Sequence, residues 1–299
     1  MAEIWLGFDT ESDVTQWSYE PGLPISGHVL DESLAAVARL TEILREHQTA
    51  ATFFLVGRLL EVAGSEYYDL LGEQGHDVQC HTYSHHLIHE RDMADSVEVA
   101  AGSVRRGLDL IEEWFGVRPV GLCAPGGSPT GFRGQPERLK LVWDEGIRFL
   151  KSDNLGSPAS PMLPSRIEPY TYADDGYPDL WELPGVGWHC TMTLPRAPGE
   201  WPPRQIVPDG PLCPMPPRTP EEHIAHVTAE LDYVREHDHQ FSPSWHPWSL
   251  YRFDPGLTIV DFLLTYARDH QMPVYTYQRK YEEVVAAARS SERGASHDR

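Results

Sequence analysis

The sequence predicts an α/β fold, a distorted (β/α)7–8 barrel in a single domain, and three observations predict it. Short apolar runs alternate with amphipathic helical stretches along nearly all of the 299 residues, the pattern of parallel strands joined by helical crossovers. Roughly seven or eight such units fit, which suits a closed barrel better than an open sheet. The residues able to do chemistry fall just past the apolar runs, where the strands of a parallel barrel open on one face.

Each element has its own signal. Ile4 to Phe8 reads as a buried strand. Asp31 to His47 reads as a helix, capped by Asp31 or Ser33, with Leu34, Val37, Leu40, Ile43 and Leu44 as its apolar stripe. Ala51 to Val56 is the next strand, and Tyr67 to Gln74 a short helix closed by Gly75. His76 to Cys80 is a strand, and Asp95 to Trp114 a long helix ended by Gly116. Val120 to Cys123 is a strand after Pro119, Gln135 to Glu145 a helix, and Ile147 to Leu150 a strand. Trp181 to Leu183, Gln240 to Ser244 and Val274 to Tyr277 follow as strands. Pro220 to His237, Leu257 to His270 and Arg279 to Ala288 are the remaining helices.

Residues 156–220 stand apart, with 16 of the 26 prolines and few helix signals. That stretch reads as a loop region at the barrel mouth, and Trp181, Trp188 and Trp201 suggest that it packs. The domain is thus expected to span 1–289, with 290–299 a polar, disordered tail.

Composition narrows the function. With 40% apolar and 23% charged residues the chain is globular. Its 45 acidic against 24 basic residues give a net charge of −21, which disfavours nucleic acid, whose binding needs lysine and arginine to displace counterions. The same charge disfavours anionic membranes. No apolar run approaches the roughly 18 residues that span a bilayer. The stretch Met1 to Phe8 is too short and wrongly charged for a signal peptide, which predicts a cytoplasmic protein. Cys80, Cys123, Cys190 and Cys213 are scattered and form no C-x-x-C pair, so neither a zinc ribbon nor a disulfide framework is indicated.

Five constellations carry chemistry. Asp9-Thr10-Glu11 leaves the first strand with two carboxylates on one side, which repel unless a cation or a proton sits between them; alone, it reads equally as a solvated turn. His81-Thr82-Tyr83-Ser84-His85 has the i, i+4 spacing that puts two imidazoles on one face of a helical turn, about right for one metal ion. His86 and His89 extend the cluster but face elsewhere. Ser244-Trp245-His246-Pro247-Trp248 holds a single histidine between tryptophans, either packed core or a general acid tuned by apolar neighbours. Cys123-Ala124-Pro125-Gly126-Gly127 is a strand end and turn that either presents backbone amides or only reverses the chain. Ser152-Asp153-Asn154 places a lone aspartate at another strand end. Two histidines and a carboxylate, with positions left for water, make a catalytic rather than a structural metal site.

Together these residues resemble the polysaccharide deacetylase family, carbohydrate esterase family four, over about residues 3–278. The stretch Gly75 to His85 looks like the family's second motif and is the most specific piece. Phe8-Asp9-Thr10-Glu11 looks like the first motif in the D-x-D/E branch, which holds peptidoglycan-deacetylase-like proteins and cyclic imide or allantoin hydrolases. Trp181-Glu182-Leu183-Pro184 and Trp245-His246-Pro247 also look like that branch.

The resemblance implies Asp9 as general base, Glu11, His81 and His85 as metal ligands, and His246 as the general acid that protonates the leaving amine. It implies a divalent transition metal, zinc foremost, with cobalt, nickel, manganese and iron also suited to such ligands. Cys123, Pro125, Gly126, Asp153, Glu182, Trp188 and Trp245 are the expected substrate-binding or supporting residues. Cys123 stands where the family has an arginine that orients the base, and Arg133 is the residue that could reach back.

The reaction implied is removal of an N-acetyl, or a formyl, group from an amino-sugar-containing or related small molecule or oligosaccharide. A cyclic imide or ureide hydrolase of the same fold is the alternative, with a non-catalytic carbohydrate-binding barrel after it. A homo-oligomer is compatible with all three.

Overall fold

The computed structural model describes residues 1–13, 25–72, 74–85, 88, 97–154, 156–157, 160–161, 164–190, 204–205, 212–213 and 216–297. Strand β1 (Glu3–Trp5) and strand β2 (Gly7–Thr10) are one apolar run interrupted at Leu6. They are followed by α1 (Gly27–Glu46), β3 (Thr52–Leu55), α2 (Gly57–Leu71), β4 (Asp77–Cys80), α3 (Val97–Phe115), β5 (Gly121–Ser128), α4 (Pro136–Asp144) and β6 (Phe149–Asp153). Two small ribbons, β7 (Gly156–Ser157) with β8 (Ser160–Pro161) and β11 (Arg204–Gln205) with β12 (Leu212–Cys213), lie in the proline-rich region. Between them β9 (Tyr170–Tyr172) and β10 (Tyr177–Glu182) join the main sheet. The chain ends with α5 (Pro220–Glu236), β13 (Gln240–Phe241), α6 (Pro247–Phe253), α7 (Thr258–Asp269), β14 (Val274–Tyr275) and α8 (Tyr277–His297).

The sheet order β2-β3-β4-β5-β6-β10-β9 is parallel throughout except for its last pair. Closure follows from hydrogen bonds at its two ends. On one side β1 pairs with β13, Ile4 opposite Phe241, and the Asp9 N–H donates to the Trp245 carbonyl at 2.8 Å. On the other, the segment past β10 meets the same strand, where Val186 and Ser242 exchange backbone bonds of 3.0 and 2.7 Å. The ring is a barrel of the expected type.

Two cores follow from strand alternation. Ile4, Leu6 and Phe8 face the helices and join a large cluster with Val37, Leu40, Leu108, Leu150 and Val260. Trp5, Phe54, Cys123, Phe149, Leu183 and Tyr277 form a smaller cluster that fills the barrel interior. Gly7 and Gly121 are spacers in it. A Cβ at Gly7 would stand 2.7 Å from the Tyr277 ring, and one at Gly121 only 2.1 Å from the Phe149 ring. Gly121→Ala should therefore cost about 1–3 kcal/mol by overpacking. Urea unfolding of the variant measures this, and an unchanged midpoint would show that the interior yields.

The structure departs from the sequence reading in several elements. The helix expected over Tyr67 to Gln74 begins at Gly57 and kinks at Ala63, because Leu59, Leu60 and Ala63 bury against the core. β5 runs on to Ser128, β6 to Asp153, and β9 and α6 were not expected. The last helix continues through His297, into the stretch expected to be a disordered tail. Among the described residues no helix is long and apolar enough to cross a membrane. His86, His89 and Trp201 lie outside the described residues.

Candidate active site

The period-2 rule that puts Trp5 inside the barrel carries on up the strand, so Asp9 and Glu11 also face the interior, at its open end. Both are buried. The Glu11 backbone is held by the Ser33 hydroxyl, which donates to its carbonyl at 3.1 Å. His81 follows β4 on the same side and is buried too. The two histidines do not share a helical turn, as their spacing suggested. Thr82 and His85 have φ of 60° and 52°, so the chain coils left-handed and folds the His85 ring back to 5.0 Å from the His81 ring. His246 caps α6, whose first turn opens with Pro247, and points at the same cluster.

The donor atoms of Glu11, His81 and His85 all lie within 4.8 Å of one another. Glu11 Oε2 is 2.7 Å from His85 Nε2 and 3.6 Å from His81 Nε2, without the alignment of a hydrogen bond to either. Glu11 Oε2 and His81 Nε2 are thus buried polar atoms with no hydrogen-bond partner. Leaving such groups orphaned costs about 1–3 kcal/mol each, unless a cation takes both lone pairs. His81 Nδ1 donates to the Cys123 carbonyl at 2.8 Å, which fixes the tautomer whose Nε2 lone pair faces Glu11. Burial would raise the Glu11 carboxyl; His85 foremost, with His246, overrides it and holds the group well below the usual carboxylate range. Trp248 Nε1 donates to Glu11 Oε1 at 3.3 Å. A divalent transition metal fits these three residues.

The base position is built differently from the sequence expectation. Arg133 does not reach Asp9; its guanidinium donates to the Thr130 carbonyl and the Ser165 hydroxyl and lies over the Tyr170 ring. The cation beside Asp9 is Lys151, fully buried on β6, with Nζ 2.9 Å from Asp9 Oδ1. The Cys123 thiol also donates to Asp9 Oδ1, at 3.2 Å. Burial would raise the Asp9 carboxyl, but Lys151 first, then His81 and His246, keep it well below the ordinary range. Lys151 stays charged for the reciprocal reason, Asp9 outweighing its burial.

His246 is oriented by a residue that sequence reasoning missed. Cys190 Sγ lies 3.2 Å from its Nδ1 and accepts its backbone N–H at 3.0 Å. Burial pushes this thiol up to about 12, so it is protonated and donates to Nδ1. The imidazole proton then sits on Nε2, 3.6 Å from Glu11 Oε1. Burial lowers the His246 pKa, with Glu11 and Asp9 opposing.

The other expected residues take supporting places. Glu182 accepts four donors: the Ser152 and Asp153 amides at 2.6 and 2.8 Å, and the Ser152 and Tyr172 hydroxyls at 2.7 and 2.6 Å. Asp153 accepts from the Ser165 amide and Tyr170. These two acids tie β6 to β9 and β10 and are not among the Glu11, His81 and His85 cluster. Trp245 is core, packed on Phe8 and Phe241. Trp188 is buried against His226, its amide bonded to Glu230. Pro125 and Gly126 lie in the turn beyond Cys123, with Gly126 and Gly127 at positive φ.

Lys151 left a faint trace in the sequence, a cation two residues past Phe149 in a strand and hence on the inner face. Cys190 and its neighbour His189 left none, because they lie in the proline-rich stretch without a period.

Buried carboxylates and histidines thus converge at the strand ends of the barrel, the face on which barrel enzymes carry their active sites. The polysaccharide deacetylase family model matches residues 30–133 of this chain. The fold extends the likeness over the rest. A Mycobacterium smegmatis protein provisionally described as a polysaccharide deacetylase is similar, with a TM-score of 0.71 and 20% identity over 96% of this chain and 91% of that chain. The Puue allantoinase is similar with a TM-score of 0.65 and 13% identity over 94% and 89%. A Pseudomonas aeruginosa PAO1 protein, also provisionally described as a polysaccharide deacetylase, gives 0.64 and 14% over 94% and 89%. No curated protein matches the chain.

Proposed function

We propose that the chain is a metal-dependent amide hydrolase that removes an N-acetyl or formyl group from an amino-sugar-containing or related small substrate. The observation that carries this reading is the orphaned pair of Glu11 Oε2 and His81 Nε2 beside an ion-paired, buried Asp9. A zinc-type ion held by Glu11, His81 and His85 would supply the Lewis acid that polarises the carbonyl and activates water. Asp9 is the general base. Its Oδ1 is occupied by Lys151 and Cys123, so Oδ2 is the oxygen assigned to take the proton of the attacking water. His246 Nε2 faces the cluster and is assigned to protonate the leaving nitrogen from the imidazolium, which returns to the neutral ring, with Cys190 holding the ring at Nδ1. A backbone N–H of the turn after Cys123 would steady the oxyanion, a donor of this kind contributing about 3 kcal/mol. Pro125 has no N–H, which leaves Ala124, Gly126 and Gly127 as candidates.

The double variant His81→Ala/His85→Ala tests the reading. Mass spectrometry of the purified protein should show loss of one metal equivalent that the wild type holds. Hydrolysis of acetylated amino sugars should fall by ~10³-fold or more. Full activity in the double variant would sink the metal mechanism. Hydrolysis of a ring amide, a cyclic imide or ureide, is the second reading, favoured by the fold shared with the Puue allantoinase. Cys123 in place of the family's arginine does not by itself favour this second reading, because Lys151 supplies a cation at Asp9. Assays on both substrate classes separate the two.

A further inference from the structure

A second set of metal donors sits behind His246. Donor atoms of His189, Cys190 and His246 lie within 4.8 Å of one another. Cys190 Sγ is 3.2 Å from His246 Nδ1, and the rings of His189 and His246 are 4.6 Å apart. Sulfur and nitrogen ligands of tetrahedral zinc stand roughly 3.3–3.8 Å from each other, given bonds of about 2.3 and 2.0 Å. The trio therefore needs only small side-chain adjustments to close on an ion. The backbone holds it in place: Cys190 N–H donates to the Ser244 carbonyl at 3.2 Å, and His246 N–H points at the sulfur. Cys190 is buried, and His189 is half-buried. One thiolate and two imidazoles select zinc-type ions over magnesium or calcium.

We propose that His189, Cys190 and His246 form a second, thiolate-containing metal site whose occupancy silences the barrel. On binding, the Cys190 thiol releases its proton to solvent and the sulfur bonds the ion, as does His246 Nδ1. The His246 ring is then bonded through Nδ1 and pinned on its Cys190 side, so its Nε2 face is no longer free to adjust to a substrate beside Glu11. This consequence rests on the role of His246 proposed above; the site itself does not. Its two faces make His246 the shared wall of both sites, with Nε2 toward Glu11 and Nδ1 toward Cys190.

Cobalt titration of the metal-free full chain tests the site. The wild type should bind two equivalents, and one of them should bring a near-ultraviolet thiolate-to-cobalt charge-transfer band. The Glu11, His81 and His85 set contains no sulfur, so His81→Ala/His85→Ala should keep that band. Cys190→Ser should lose it together with one equivalent. Should Cys190→Ser fail to fold, His189→Gln keeps the thiol and decides instead, by loss of the second equivalent. Binding of a single equivalent without the band, persistence of the band in Cys190→Ser, or an unaltered titration in His189→Gln would each overturn the proposal. Hydrolysis should fall when cobalt passes the first equivalent, and should not in His189→Gln. A protein that shows the band but hydrolyses nothing would sink the hydrolase reading and leave the site standing.

Discussion

Lys151→Met is expected to lower kcat/KM by at least ~100-fold and to destabilise the fold by about 3–5 kcal/mol, the usual cost of stranding one half of a buried ion pair. The methionine fills the same space among Phe54 and Tyr277, so the effect isolates the charge. Without Lys151 the burial of Asp9 acts with less opposition, and its carboxyl moves up from its present depressed position. The acid limb of the kcat/KM profile should then shift to higher pH. In the wild type the sign runs the other way. The stabilisation from Asp9 is complete above its ordinary value of 3.8 and fades only as pH falls through its lowered value. A Lys151→Met protein with an unmoved acid limb would show that Asp9 is not the titrating base.

Glu182→Ala should be strongly destabilising although it lies apart from the Glu11, His81 and His85 cluster. It strands four donors in a site where Glu182 is wholly buried, at a cost of ~3 kcal/mol or more. Glu182→Gln probes the charge alone. Burial, helped by Asp153, raises this carboxyl to about 7 from an ordinary 4.5, against the four donors. The folded state then holds its proton more tightly than the unfolded chain between those values. Stability from this group is full below pH 4.5 and declines as pH rises to about 7, by an amount on the order of 3 kcal/mol. Urea unfolding at pH 5 and pH 8 should show that decline in the wild type and not in Glu182→Gln. Equal slopes in both would assign the pH dependence to other groups.

Much of the barrel was legible because its strands are buried on both faces and read as unbroken apolar runs such as Thr52–Leu55. The helices were legible from their stripes, with ends misjudged where tertiary burial extended them, as at Gly57. Asp9, Glu11, His81 and His246 could be read from strand-end position alone. Their partners could not. Lys151 looks like any strand lysine until the ring closes and brings β6 across from β2. Cys190 reaches His246 only because the segment after β10 crosses to the strand before α6, a contact 56 residues apart in sequence. The spacing of His81 and His85 pointed to two rings that do meet, but by another geometry, since left-handed residues bring them together.

The turn from His81 to His85 is shaped by the chain itself, whether or not the proposed ion is bound. Thr82 and His85 each sit in a backbone region that costs roughly 1–2 kcal/mol for a residue with a side chain. The conformation is held by three backbone hydrogen bonds to the neighbouring helices: Gly57 and Arg58 amides donate to the Thr82 and Tyr83 carbonyls, and the Tyr83 amide donates to the Ser103 carbonyl. The scaffold of α2 and α3 shapes the cradle without help from any ion. Chelation should therefore leave a folded, empty receptor with its thermal midpoint lowered only by mass action. This is unlike small domains that unravel when stripped of zinc. Amide protection at Gly57, Arg58 and Tyr83 should persist after chelation, and loading should be fast, because nothing has to refold.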